Sequence, residues 1–270
     1  MTTSAEMSPT NRPRVFVHLL PSLIPPGSLK GGVAVVVDVL RATTVMTHAL
    51  AIGCEAVIPC AEIEEARAAA VGLPEGTAIL GGERGGLPIE GFDLGNSPGD
   101  YTREVCEGKT LVMTTTNGTR AILASLEADR VYIASFANLS ATVEELLVQF
   151  LKKDHGHSIH IVGSGTEGFI SLEDALLAGA LAAGLTGESI PEPGEVDPLG
   201  NDEARIVWSQ WLAAERACRG RSLGEYLRLG RGGRNVVRIG LEKDIDVAGQ
   251  IDRFPIVAEL SRDPLRIVKV

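Results

Sequence analysis

Asp38 closes the apolar run Val33–Val37 and is followed by Val39, Leu40, Arg41, Ala42, Thr43 and Thr44. A carboxylate at the end of such a run is costly unless it is paired or holds a metal ion. Arg41, Thr43 and Thr44 fall where a helix should begin, and free N–H groups and the helix dipole favour an anion there. Two readings compete. In one, Asp38 binds a metal or attacks an electrophile while Arg41, Thr43 and Thr44 face an anionic substrate. In the other, Asp38 pairs with Arg41 and Thr43 caps the helix.

Four further segments share this plan of an apolar strand followed by small or polar residues. Gly81-Gly82-Glu83-Arg84-Gly85-Gly86, with Gly91–Pro98 behind it, is too rich in glycine for a core and lets backbone approach a ligand. Glu83 suits a metal there, Arg84 suits a phosphate or a carboxylate, and Asn96 and Ser97 add polar contacts. A solvated loop held by a Glu83–Arg84 pair is the plainer reading. Thr114–Arg120 opens a helix with Thr115, Thr116, Asn117 and Gly118, a neutral anion cradle that Arg120 would complete. Ser135–Asn138 is the third segment.

The last is Gly163-Ser164-Gly165-Thr166-Glu167-Gly168, which fits a dinucleotide turn of the form Gly-x-Gly-x-x-Gly. A nicotinamide-linked oxidoreductase would use it so, but no strand follows Leu185 to carry the acidic ribose partner. A phosphate or sulfonate turn at Gly165 is preferred, with Glu173 and Asp174 as metal ligands or base. A capping box from Ser171 to Asp174 is the rival account of that pair. A non-enzymatic anion-binding module is a second alternative, and it would not need several acids beside a cradle.

Other chemistries drop out on residue type. Leu40 stands where an Asp-x-Asp phosphatase needs its second acid, and Cys60 to Arg67 is one residue too long for a thiol phosphatase loop. No Gly-x4-Gly-Lys-Ser/Thr loop occurs. His155, His157 and His160 read as a solvated turn plus one strand residue.

These segments need strands to end where they begin. Apolar runs are expected as strands at 14–20, 33–38, 56–59, 78–80, 110–113, 131–134 and 159–162, with helices at 43–51, 63–71, 119–126, 141–153 and 172–185. The alternation predicts an α/β fold, a layered α/β/α sheet, parallel or mixed, with a smaller and mainly helical C-terminal region. In such sheets ligands bind at the carboxyl ends of the strands, where all five segments fall. Residues 1–13 read as a disordered leader, 14–185 as the catalytic core, and 186–270 as helices and terminal strands completing the site or a dimer. In that last region helices are expected at 202–219 and 223–229, a Gly/Arg-rich turn at Gly230–Arg234, and edge strands at 253–257 and 266–270.

Bulk properties narrow the partners. The 270 residues are 44% hydrophobic but only 4% aromatic, so the core must come from Ala, Val, Leu and Ile. A net charge of −10 argues against nucleic acid, though a local cluster can still hold a small anion. The longest apolar stretches are too short to span a bilayer, and the polar N-terminus is no signal peptide. Cys54, Cys60, Cys106 and Cys218 lack metal-finger spacing and are expected reduced, in a cytoplasmic protein.

Together DVLRATT, GGERGG, GFDLGNSP, TTTNGTRA, SFANLSAT and GTEGFISLEDALLAGA resemble the 2-phosphosulfolactate phosphatase family, in order, from about Val33 to Gly184. Each motif is weak alone; six in order are specific. The resemblance implies an α/β fold peculiar to that family, a Mg²⁺-dependent phosphatase of the coenzyme M pathway acting on a small anionic phosphoester, and a homodimer. It points to Asp38, Arg41, Glu83, Asn96, Thr115, Asn117, Glu173 and Asp174. The residue chemistry then suggests Mg²⁺ on Asp38, Glu83, Glu173 and Asp174, with Arg41 and the Thr115–Gly118 turn on the phosphoryl group. Arg84 or Arg120 would hold the substrate's carboxylate or sulfonate.

Overall fold

A computed structural model describes residues 12–152, 158–192 and 194–270; His155 and His157, and most of the expected leader, lie outside them. The chain runs β1 (Arg14–His18), β2 (Val33–Val37), α1 (Ala42–Ile52), β3 (Ala56–Cys60), α2 (Ile63–Val71), β4 (Ala78–Arg84) and β5 (Leu87–Pro88). It continues through α3 (Arg103–Cys106), β6 (Thr110–Thr114), α4 (Gly118–Ala124), β7 (Arg130–Ala134), α5 (Leu139–Lys152), β8 (Ser158–Gly163) and α6 (Leu172–Thr186). The remainder is α7 (Asp202–Ala217), α8 (Leu223–Leu227), α9 (Arg231–Arg238), α10 (Glu242–Ala248), β9 (Ala258–Arg262) and β10 (Leu265–Lys269).

The expected α/β class is what forms. The strands make one mixed ten-stranded sheet in the order β1-β8-β2-β7-β9-β10-β3-β6-β4-β5. Val33–Val37 is buried at every position, as a continuous apolar strand should be when both faces are covered. It pairs in parallel with β7 and β8, so that Val35 lies between Tyr132 and Ile161.

Two parallel blocks, β1-β8-β2-β7 and β3-β6-β4, are joined by the β9–β10 hairpin, which runs antiparallel to both β7 and β3. Arg130 on β7 grips Glu259 on β9 through two 2.6 Å hydrogen bonds, a bidentate pair that fixes the join. α1 packs against β3, β7 and β10 and is buried from Ala42 to Leu50. Because one helix serves both blocks, the polar turns that end β2, β4 and β6 meet near its N-terminus. On the opposite side α6 is buried almost all round, in contact with α5, α7 and β8, which explains why its apolar residues show no stripe.

Three expectations about the C-terminal region change. Residues 253–257 are not a strand, and the hairpin that follows lies inside the sheet rather than at an edge. Its strands bury only Ala258, Leu260 and Ile267, too few apolar residues to announce a central position. Gly230–Arg234 is the entry and first turn of α9 rather than a turn between elements. Among the described residues, no helix is long and apolar enough to cross a membrane.

Candidate active site

The turn after β2 is built by its own hydroxyls. Thr43 Oγ1 donates to the Asp38 carbonyl at 2.9 Å and accepts the Asp38 N–H at 3.0 Å, while Thr44 Oγ1 donates to the Val39 carbonyl at 2.8 Å. Both threonines are therefore spent on the strand-to-helix turn and are buried, not presented to a ligand. Asp38 Oδ1 accepts the Ala42 N–H at 3.2 Å. Gly118 lies against the other oxygen, and a Cβ there would come within 2.8 Å of Asp38 Oδ2 and 2.5 Å of Ala42 Cβ. Only glycine lets α4 begin so close to Asp38. Burial above all, then the charge of Asp174, pushes the Asp38 carboxyl up to about 8.

Arg41 is not Asp38's partner. Its Nη1 donates to Asp244 of α10 at 2.7 Å and its Nη2 to the Gly86 carbonyl at 3.1 Å. Both members of the ion pair are 5% exposed. Ser97 donates its hydroxyl to the other Asp244 oxygen at 2.5 Å, so it orients the ion pair rather than facing a ligand. Asp244 was not singled out in the sequence, because nothing about one acid among Glu242, Asp244 and Asp246 marks it as the buried one.

The turns expected to cradle a substrate anion hold anions of the protein itself. Thr116 donates both its N–H, at 2.7 Å, and its hydroxyl, at 3.2 Å, to Glu83, which also accepts the Gly86 N–H at 2.6 Å. Thr115 Oγ1 accepts the Thr119 N–H at 3.2 Å. In the second turn Asp174 accepts the N–H of Gly165 at 3.0 Å, the hydroxyl of Ser164 at 3.1 Å and the N–H of Val39 at 2.9 Å. A nucleotide pyrophosphate would need that Gly165 N–H, and α6 is followed in the chain by α7, not by a strand. The oxidoreductase reading loses its support. The capping-box reading also falls, since the Ser171 side chain caps nothing.

Arg84 turns away from the cavity: it donates to the carbonyls of Glu83 and Ala61 and to the Thr114 hydroxyl. Arg120 is exposed on α4. Neither lines the cavity into which Asp38, Arg41, Glu83, Asn96, Thr116 and Asn117 converge. That cavity is about 100 Å³, and α9 closes it with Gly232, Asn235, Val236, Arg238 and Ile239.

Among the described residues, Asn96 Oδ1 and Glu173 Oε2 are the buried amide and carboxyl oxygens without any protein donor, beside unpartnered hydroxyls on Ser28, Thr47 and Ser171. Such groups usually mark a missing partner. Glu173 lies beneath the start of α9, where a Cβ on Gly232 would fall 1.7 Å from its Oε1. Burial first and Asp174 second raise its carboxyl to about 8. The four-carboxylate metal cage does not assemble: among the described residues no group of three or more acids, histidines or cysteines is disposed to hold an ion.

A larger cavity, about 610 Å³, lies along β1 and β8. It contains the stacked pair His18 and His160, whose Nε2 and Nδ1 are 3.0 Å apart. Burial lowers both, His160 to about 4. None of the acid-bearing turns reaches it. Size therefore does not pick the site; the convergence of the charged and amide side chains at the strand ends does.

The sequence model of a family described as 2-phosphosulpholactate phosphatase matches residues 18–263. The chain belongs to the 2-phosphosulfolactate phosphatase family. A probable 2-phosphosulfolactate phosphatase of Synechococcus sp. (strain CC9605) is 41% identical over 240 residues, 86% of this chain and 90% of its own length. Its counterpart in strain WH7803 is 38% identical over 250 residues, 90% of this chain and 94% of that protein. A third, from Prochlorococcus marinus (strain MIT 9303), is 40% identical over 228 residues, 83% and 87% of the two chains. The match to the phosphatase family includes α9 and α10, so the segment that closes the cavity lies within the family's span.

Proposed function

We propose that this chain is a phosphoric monoester hydrolase that converts 2-phosphosulfolactate to 3-sulfolactate and inorganic phosphate with the help of Mg²⁺. The observation that carries the reading is one cavity at the carboxyl ends of β2, β4 and β6 that joins Asp38, Arg41, Asn117 and the unpartnered Asn96 oxygen. The names of the relatives supply the substrate.

Mg²⁺ takes one or two carboxylates and fills its other positions with water and phosphate oxygens, so it needs no all-protein cage. Asp38 and the Asn96 amide oxygen fit that requirement, because both reach the cavity and neither is saturated by protein donors. Glu83 and Asp174 are less suited, each already holding three donors. Bound there, the ion would act as a Lewis acid on a phosphoryl oxygen.

The chain's own residues supply positioning and electrostatics, which dominate phosphoryl transfer. Arg41, with N–H groups left over after Asp244 and Gly86, holds a phosphoryl oxygen. Asn117 donates its side-chain amide from the start of α4. Leu40, Val236 and Ile239 exclude bulk water from the Asp38 side, which strengthens each of these contacts.

In this reading the enzyme works as a cytoplasmic homodimer in coenzyme M biosynthesis. Its four cysteines are all free, as a reducing compartment keeps them. The test is a panel of phosphomonoesters assayed with Mg²⁺ and with EDTA. Release of phosphate from 2-phosphosulfolactate in Mg²⁺, lost in EDTA, is expected. Full turnover in the chelated protein would overturn the assignment of Asp38 and Asn96 to an ion.

A further inference from the structure

Two cations line the site cavity, Arg41 and Arg238. They differ in what they already hold. Arg41 is neutralised by Asp244 at 2.7 Å. Among the described residues Arg238 has neither an ion pair nor a side-chain hydrogen bond, and it stands exposed at the cavity's rim.

α9 presents these groups by simple periodicity. Gly232, Asn235, Val236 and Ile239 recur at spacings of three, one and three, which places them along one side of a helix, and Arg238 flanks that side. Val236 and Ile239 cover the cavity. Asn235, whose side chain also makes no hydrogen bond among the described residues, sits one turn before Arg238 and offers an amide donor beside the guanidinium. The anion seats expected at Thr115–Thr116 and at Gly165 are filled by Glu83 and Asp174, and Arg84 and Arg120 face elsewhere. A substrate that carries a second acid group beyond its phosphate therefore meets one uncommitted cation in the cavity.

We infer that Arg238, assisted by Asn235, holds the sulfonate or carboxylate of the substrate and so selects doubly acidic phosphoesters over simple ones. The inference rests on the phosphatase reading above and adds a specificity-determining residue to it. A guanidinium fork matches either acid with two parallel hydrogen bonds, and the rim position lets it capture the remote group while the phosphate lies deeper, by Arg41.

The test compares affinities for two probes, 3-sulfolactate and inorganic phosphate, by calorimetry on the full chain with Mg²⁺. In Arg238→Gln the ratio of sulfolactate to phosphate affinity should fall about 10- to 100-fold, the effect of losing a charged hydrogen-bonding partner. Arg238→Lys should recover part of it, and thermal melting should show both variants folded. An unchanged ratio, or a parent chain that binds no sulfolactate, overturns the assignment. The same ratio read from kcat/KM, for 2-phosphosulfolactate against phenyl phosphate, separates the two readings. If the parent hydrolyses neither ester yet Arg238→Gln loses the sulfolactate preference, the phosphatase reading fails and Arg238 stands. If the parent hydrolyses 2-phosphosulfolactate and Arg238→Gln retains its full preference, Arg238 fails alone.

Discussion

Glu83 and Asp174 differ from Asp38 and Glu173 in one respect that sorts their roles. All four are acids buried around the carboxyl ends of the strands. Glu83 and Asp174 each gather three protein donors. Asp38 has one N–H, at 3.2 Å, and Glu173 keeps an oxygen with no partner at all. A carboxylate surrounded by N–H groups is a structural anion that organises its loop. One left short of donors is held ready for something that arrives later, at a cost in stability. The same residue type is thus saturated by protein donors in two places and left short of them in two others.

The sharpest way to break this distinction is Asp38→Asn. The change keeps shape and removes charge. Turnover should fall on the order of 10³-fold or more, since it deletes the anionic group at the centre of the cavity. Stability should hold or rise, because Arg41 keeps its countercharge in Asp244 and fewer like charges remain beside Asp174. A destabilised Asp38→Asn protein with near-parental turnover would make Asp38 a fastener too.

Asp244→Ala comes next. It strips a buried guanidinium of its partner, and breaking one side of such a pair costs about 3–5 kcal/mol. Denaturant unfolding should register that loss, and Ser97 and Arg41 should lose their common anchor, lowering turnover as well. A folded variant of parental stability would mean that Arg41 finds water or another acid instead. Glu83→Gln should be milder, about 1–3 kcal/mol, as an amide NH₂ is turned toward N–H donors that want an acceptor. Its signature would be a loosened turn at Gly85 and Gly86 between β4 and β5, visible as faster amide exchange at Gly86 and Thr116, where the parent's donors are tied to Glu83.

Much of this frame was legible beforehand, for a physical reason. Val33–Val37 and the other apolar runs announce strands, and threonine, asparagine and glycine clusters behind them announce turns at strand ends. What the sequence could not say is which acid fills which turn. Glu83 lies 33 residues from Thr116 along the chain, and its role as that turn's anion is a tertiary fact. Asp244 lies 203 residues from Arg41. α9 is obscured by Gly232 and Gly233, which look like a turn but allow a helix to settle, Gly232 onto the Glu173 carboxylate and Gly233 onto the Leu227 carbonyl. The β9–β10 hairpin was misplaced because a short strand's position in a sheet depends on non-local pairing, and its pattern carries little of that.

The last effect concerns pH, and it needs no assay of catalysis. Asp38 and Glu173 are raised to about 8, by burial first, and burial raises Asp174 as well. In the unfolded chain they return to ordinary carboxylate values near 4. Between those limits the folded state holds protons that the unfolded state has released. Stability from these groups is therefore complete below about pH 4 and is lost as pH rises through 8. In EDTA, the parent should lose unfolding free energy steadily to these groups between pH 5 and pH 8. Asp38→Asn removes one of the three raised carboxyls and should flatten that decline relative to the parent. Glu83→Gln leaves all three in place and should lower the curve through the donors it strands. Added Mg²⁺ should reverse part of the decline, because a cation favours the ionised form it binds. If Asp38→Asn left the decline as steep as in the parent, Asp38 would not be among the carboxyls that burial holds protonated.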